Sequence, residues 1–191
     1  FLIYFSILST LIGTFILNMT LAIFCITFLI FYVKNKSKVE VILNFKIFYL
    51  LIIFLFINSI LSDHLLYSAR SSLNLIKNVI FLIGCYLIFK LDEKILNRFI
   101  KLVFLIFIFT SLDTILQYLT GKDIFGYPQS KLHYGRLSGP FGDELIVGSF
   151  LSKISFISIL YLLTNFKNKY YDLFFLLFAI LLVLVTKERS A

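Results

Sequence analysis

Residues 1–33 read FLIYFSILSTLIGTFILNMTLAIFCITFLIFYV, with no Asp, Glu, Lys or Arg among the 33. A bilayer core about 30 Å thick takes roughly 20 apolar residues of helix to cross. The run is long for one span and short for two, so a tight hairpin between Gly13 and Thr20 is the expectation, with the choice between one span and two left open. Further along lie apolar runs at about 45–62, 73–90, 99–120, 144–164 and 170–186, which makes six or seven spans. Such spans must be helical, because lipid offers no partner for the backbone groups of an isolated strand. The predicted fold is all-α: a polytopic transmembrane helical bundle forming a single domain over residues 1–191.

Composition excludes a soluble domain. The chain is 60% hydrophobic and only 15% charged, and water could not solvate that much apolar surface at this length. Phe, Ile, Leu, Lys and Asn are enriched together, the mark of a nucleotide-composition bias, so the net charge of +8 by itself names no partner. Cys25 and Cys85 sit inside apolar runs without ligand spacing and read as small hydrophobes. The chain begins at Phe1 and stops at TKERSA just after an apolar run, which reads as an internal piece of a longer protein, incomplete at both ends. No basic segment or small-residue cleavage site precedes the first run, so a signal peptide is not expected.

Lys and Arg set the orientation. Lys34, Lys36, Lys38 and Lys46 fall in one connection, Lys90, Lys94, Arg98 and Lys101 two connections later, and Lys167 and Lys169 two later again. The connections between them are poorer: Arg70 with Asp63, then Lys122, Lys131 and Arg136 offset by Asp123, Asp143 and Glu144. Segments 34–46, 90–101 and 165–170 are expected in the cytoplasm, and loop 121–143 and Lys187–Ala191 outside.

That outer loop is unusually punctuated. Residues 125–145 hold four glycines, both prolines, and Arg136 close to Asp143 and Glu144. Gly126-Tyr127-Pro128 reads as a turn, and Gly135 and Gly139-Pro140 bracket Arg136. Asp143 is placed to cap a helix beginning near Glu144. Two readings of Arg136 stand: a guanidinium fork beside a helix N-terminus, suited to phosphate, or a structural clasp to Asp143. Before the loop, Thr110, Asp113, Thr114 and Gln117 follow i, i+3, i+4, i+7 spacing and form a polar stripe. The expectation is a hydrated cavity faced by Asp113, against helix packing as the alternative. After the loop, Gly148, Ser152 and Ser155 share a face suited to close helix approach. Lys153 either snorkels or answers a carboxylate such as Asp113. His133 is a candidate site residue as a proton carrier, weighed against an ordinary surface histidine. No His/Asp/Glu pair has ligand spacing and no Gly-rich nucleotide loop occurs, so neither metal nor cofactor is expected. The basic residues flank membrane spans, which argues against nucleic acid as a partner.

The run DIFGYPQSKLHYGRLSGPFGDELIVGSFLSK, followed one helix later by TKERSA, resembles the O-antigen ligase and O-antigen polymerase superfamily of polytopic bacterial membrane proteins. The resemblance is carried by two elements: Arg136, Gly139 and Phe141 before a helix, and Thr186, Arg189, Ser190 and Ala191 after the next pair of spans. It implies glycosyl transfer at the outer face of the bacterial cytoplasmic membrane. A glycan on undecaprenyl diphosphate would pass to lipid A core or to another lipid-linked repeat, with Arg136 and Arg189 gripping the diphosphate. Asp113, His133 and Asp143 complete the candidate substrate-binding set, and a catalytic base is expected beyond Ala191. The competing class is a transporter or flippase for an anionic or lipid-linked substrate, with Asp113 and Lys153 lining its path.

Overall fold

The computed structural model describes residues 1–35, 46–130, 135–165 and 169–188. The chain is all-α, 82% helical, with no strand among the described residues. Seven α-helices are described: α1 Leu2–Ile12, α2 Thr14–Lys34, α3 Lys46–Ile60, α4 Leu65–Leu91, α5 Glu93–Thr120, α6 Val147–Asn165 and α7 Lys169–Val185. Of these, α2, α4, α5 and α6 are each long and apolar enough to cross a membrane. The protein is a membrane protein. Phe15, Leu66 and Phe174 are 78%, 85% and 72% exposed, which lipid tolerates and water would not.

The opening run turns back on itself at Gly13, the first residue of the segment expected to hold a hairpin: Leu2 and Ile3 of α1 line one cavity with Phe24 and Phe28 of α2. The break falls on Gly13 alone, at φ 144°, where any other residue would be strained, and α2 starts at the next residue. Later boundaries move for local reasons. Asp92 is the only residue between α4 and α5: its amide closes α4 on Ile88, and its Oδ1 accepts the Lys94 amide at 2.9 Å. One side chain thus caps the next helix where a longer connection was expected. At the other end α4 begins at Leu65, ahead of the apolar run at 73, and carries Arg70 and Ser71 inside the helix.

The chain forms two compact units, Phe1–Ser6 with Thr14–Ile95, and Ile7–Gly13 with Leu96–Ala191. In the first, α4 packs against α2 and α3. Phe24 meets Phe81 edge-on at 4.8 Å, and Gly84 lies so close to that ring that a Cβ would sit 2.5 Å from it. Polar ties join the helices: Ser59 and Ser72 share a 2.6 Å hydrogen bond, and the Cys25 thiol donates to the Lys77 carbonyl at 3.3 Å. Lipid tails are as apolar as Leu, so such helices associate by close packing and hydrogen bonds more than by dehydration.

In the second unit α6 and α7 form a hairpin around a core of Phe107, Leu137, Val147, Leu151, Leu162, Phe175, Ala179 and Leu182. The Phe107 and Phe175 rings lie 4.8 Å apart. Leu137 is the telling member, because it comes from the loop between α5 and α6 and is 2% exposed. The loop is therefore part of this core.

Candidate functional site in the loop between α5 and α6

The polar stripe on α5 is the floor on which the loop is built. Thr110, Asp113, Thr114 and Gln117 are all 0% exposed. Gln117 does most of the binding: its Oε1 accepts the amides of Ser138 at 3.0 Å and Gly139 at 2.9 Å. Its Nε2 donates to the Ser138 hydroxyl at 3.1 Å and to the Tyr127 carbonyl at 3.3 Å. Asp113 Oδ1 accepts the Ile124 amide at 2.7 Å. Where a hydrated cavity was expected, Asp113 is buried against loop backbone, with one carboxylate oxygen taken by the Ile124 amide. Lys153 is exposed and makes no bond to Asp113.

The loop folds as two successive turns. In the first, Asp123 and Tyr127 pair through backbone at 3.0 Å, Asp123 Oδ1 accepts the Tyr127 amide at 2.6 Å, and Gly126 takes φ 88°. Gln129 closes the turn onto α5, donating its amide to Gly121 at 3.1 Å and its side-chain Nε2 to the Gln117 carbonyl at 2.8 Å. Asp113 and Asp123 each leave Oδ2 buried and unpartnered. In the second turn Ser130 donates to the Arg136 carbonyl at 3.1 Å, with Gly135 at φ 71°. The chain then passes through a 3-10 turn, Gly139–Phe141. Gly139 has φ 53°, and a Cβ there would lie 2.8 Å from Val147 Cγ2 and 3.0 Å from Thr114 Oγ1. Only glycine fits between α5 and α6 at that point. Phe141 packs edge-on against Phe150 at 4.9 Å.

Arg136 makes no clasp with Asp143. Its Nη2 donates to the Leu145 carbonyl at 3.0 Å, and its Nε is buried without a partner. Asp143 is exposed and does not cap the following helix, which starts later than expected, at Val147. The cap comes from 39 residues away: Glu188 Oε2 accepts the Ser149 amide at 2.9 Å, in the first turn of α6. A carboxylate is favourable at that end of the helix dipole. It also occupies part of the N-terminus that the sequence offered to a phosphate.

The end of α7 returns to the loop. The Leu137 amide donates to the Thr186 carbonyl at 3.3 Å, and a Cβ on Gly135 would lie 3.6 Å from Lys187 Nζ. Gly148 permits this approach, since a Cβ there would lie 2.5 Å from Thr186 Oγ1 and 2.9 Å from Glu188 Oε2. Gly148 and Ser155 are buried, in keeping with the close-packing face read from their spacing, while Ser152 is half-buried.

Of the five candidate substrate-binding residues, Arg136 and Asp113 lie within this loop assembly and Asp143 lies on its exposed rim. His133 and Arg189 fall outside the described residues, as do Lys36, Lys38 and Lys167 among the charges that set the orientation. Sequence reading missed Glu188 and Gln129, and it named Thr186 only as part of the resemblance and not for its contact with Leu137; all three depend on partners brought close only by the α6–α7 hairpin or the loop turns. Among the described residues no three His, Cys, Asp or Glu side chains converge as a metal site would require. No family model matches the chain, and neither does any curated protein or solved structure.

Proposed function

We propose that this membrane protein is a glycosyltransferase of the O-antigen ligase or polysaccharide polymerase kind, acting at the outer face of the bacterial cytoplasmic membrane. Its donor is a glycan on undecaprenyl diphosphate and its acceptor a hydroxyl of lipid A core or of a second lipid-linked glycan. The acceptor hydroxyl attacks the anomeric carbon and gives up its proton to a general base, the anomeric C–O bond to the diphosphate breaks, and Arg136 and Arg189 stabilise the charge that grows on the leaving diphosphate. Guanidinium forks suit that task because they are permanently charged and bind phosphate oxygens in pairs.

One observation carries the reading. The Leu137 amide is bonded to the Thr186 carbonyl at 3.3 Å, so the element containing Arg136 and the element leading into Arg189 meet although 49 residues separate the bonded pair. The Arg136 guanidinium is anchored by the Leu145 carbonyl, and among the described residues no carboxylate neutralises it. Each charge-assisted contact to phosphate is worth about 1.5–3 kcal/mol, roughly 10- to 150-fold in affinity. The test is donor binding and glycan transfer by full-length Arg136→Ala and Arg189→Ala at matched expression. Both are expected to lose at least tenfold, with the Lys variants rescuing only in part. Wild-type transfer by both Ala variants would refute the proposal.

A further inference from the structure

The first unit holds a second cationic feature that glycosyl transfer through Arg136 does not use. A groove of about 740 Å³ opens along α4, lined by Arg70, Ser71, Asn74 and Lys77, with Asn18 from α2 and Tyr67 beside them. Arg70, Asn74 and Lys77 follow i, i+4, i+7 spacing and so share one face of the helix. Among the described residues no carboxylate lines the groove. Lys77 Nζ donates to Asn18 Oδ1 at 2.6 Å, a neutral partner that orients the ammonium and leaves its charge uncompensated. An ammonium has three donors to place.

These cations stand where topology does not call for them. By the Lys/Arg alternation the Leu65 end of α4 is the outer end, whereas orienting charges belong at the cytoplasmic ends. Lys77 lies inside the apolar run 73–90, four residues or about 6 Å from its start, and a charge at that depth is costly without a partner. Arg70 is seven residues earlier, about 10 Å along the axis, which two long side chains can bridge toward one anion. Around them Leu66, Tyr67 and Leu73 are 85%, 80% and 67% exposed, an apolar surface against which a hydrocarbon chain can lie.

We infer that this groove binds the phosphate headgroup of a membrane lipid, with Arg70 and Lys77 as the charge partners and Asn18 holding Lys77 in place. The apolar flank argues for a lipid over a soluble anion, which would have no use for it. The site requires neither Arg136 nor Arg189, so it stands or falls independently of the proposed glycosyl transfer.

Native mass spectrometry of the full-length protein in detergent tests it, with phosphatidylglycerol as the probe, diacylglycerol as the phosphate-free control and inorganic phosphate as the soluble competitor. Phosphatidylglycerol is expected to bind and diacylglycerol not to. Arg70→Gln combined with Lys77→Gln should weaken retention at least tenfold, and the pair Arg70→Lys with Lys77→Arg should restore most of it. Arg70 is exposed, so Arg70→Gln alone should fold normally and lose severalfold. Undiminished phosphatidylglycerol binding by the single and double Gln variants, or its displacement by millimolar inorganic phosphate, would overturn the inference.

Discussion

Gln117→Leu is the sharpest probe of how the loop between α5 and α6 is held. The substitution keeps volume and helix propensity but removes an amide that serves four loop groups. The amides of Ser138 and Gly139 would lose their acceptor, in a place where Ser138 is 2% exposed and Gln117 itself 0%. A buried polar group stripped of its partner costs about 1–3 kcal/mol, so two amides cost about 2–6 kcal/mol before the Ser138 hydroxyl and Tyr127 carbonyl are considered. Those groups can recover solvent only if the loop lifts off α5. The lower bound alone corresponds to a loop-opening equilibrium raised about 30-fold, at about 1.4 kcal/mol per tenfold. Hydrogen-exchange mass spectrometry in detergent would read this directly: peptides covering 121–146 should lose protection while those from the middle of α6 and α7 keep it. Thr110→Ala is the matched control, since its hydroxyl bonds only to Ile106 and Phe107 of its own helix. It should leave the loop unchanged. If Gln117→Leu exchanges like the wild type across the loop, the stripe is not what fastens it, and the core packing of Leu137 must suffice.

Gly139→Ala should destabilise by about 1–2 kcal/mol from the positive φ alone, with more from the Val147 contact, and thermal unfolding in detergent would measure it. An unchanged melting temperature would mean the turn can relax. Glu188→Gln keeps an acceptor for the Ser149 amide but removes the charge at the α6 N-terminus, so it should cost about 0.3–1 kcal/mol, whereas Glu188→Ala should cost about 0.5–2 kcal/mol. Equal stability of both variants would show that Glu188 is not a working cap. For topology, a cysteine at Ser130 should react with an impermeant thiol reagent in intact cells and one at Ser37 should not. The reverse pattern would invert every assignment of inside and outside.

The helices were legible in the sequence because lipid leaves a spanning backbone so little choice. An uncharged run of this length has to satisfy its backbone internally, and α2, α4, α5 and α6 appear where the apolar runs stand. The polar stripe was legible for the same periodic reason, down to the identity of its four residues. What faces that stripe was not. Periodicity says that Asp113 and Gln117 share a side of α5, but the amides of Ile124, Ser138 and Gly139 reach that side through two turns whose geometry depends on glycines at positive φ. The break at Gly13 and the double cap at Asp92 turn on the dihedral angles and hydrogen bonds of single residues, which hydropathy averaged over a span cannot resolve. Glu188 at the head of α6 and Thr186 against Leu137 are further out of reach, because both contacts exist only when the α6–α7 hairpin closes, and it closes that tightly because Gly148 has no Cβ. Local pattern determines which faces are polar; which polar group meets which is decided by tertiary packing.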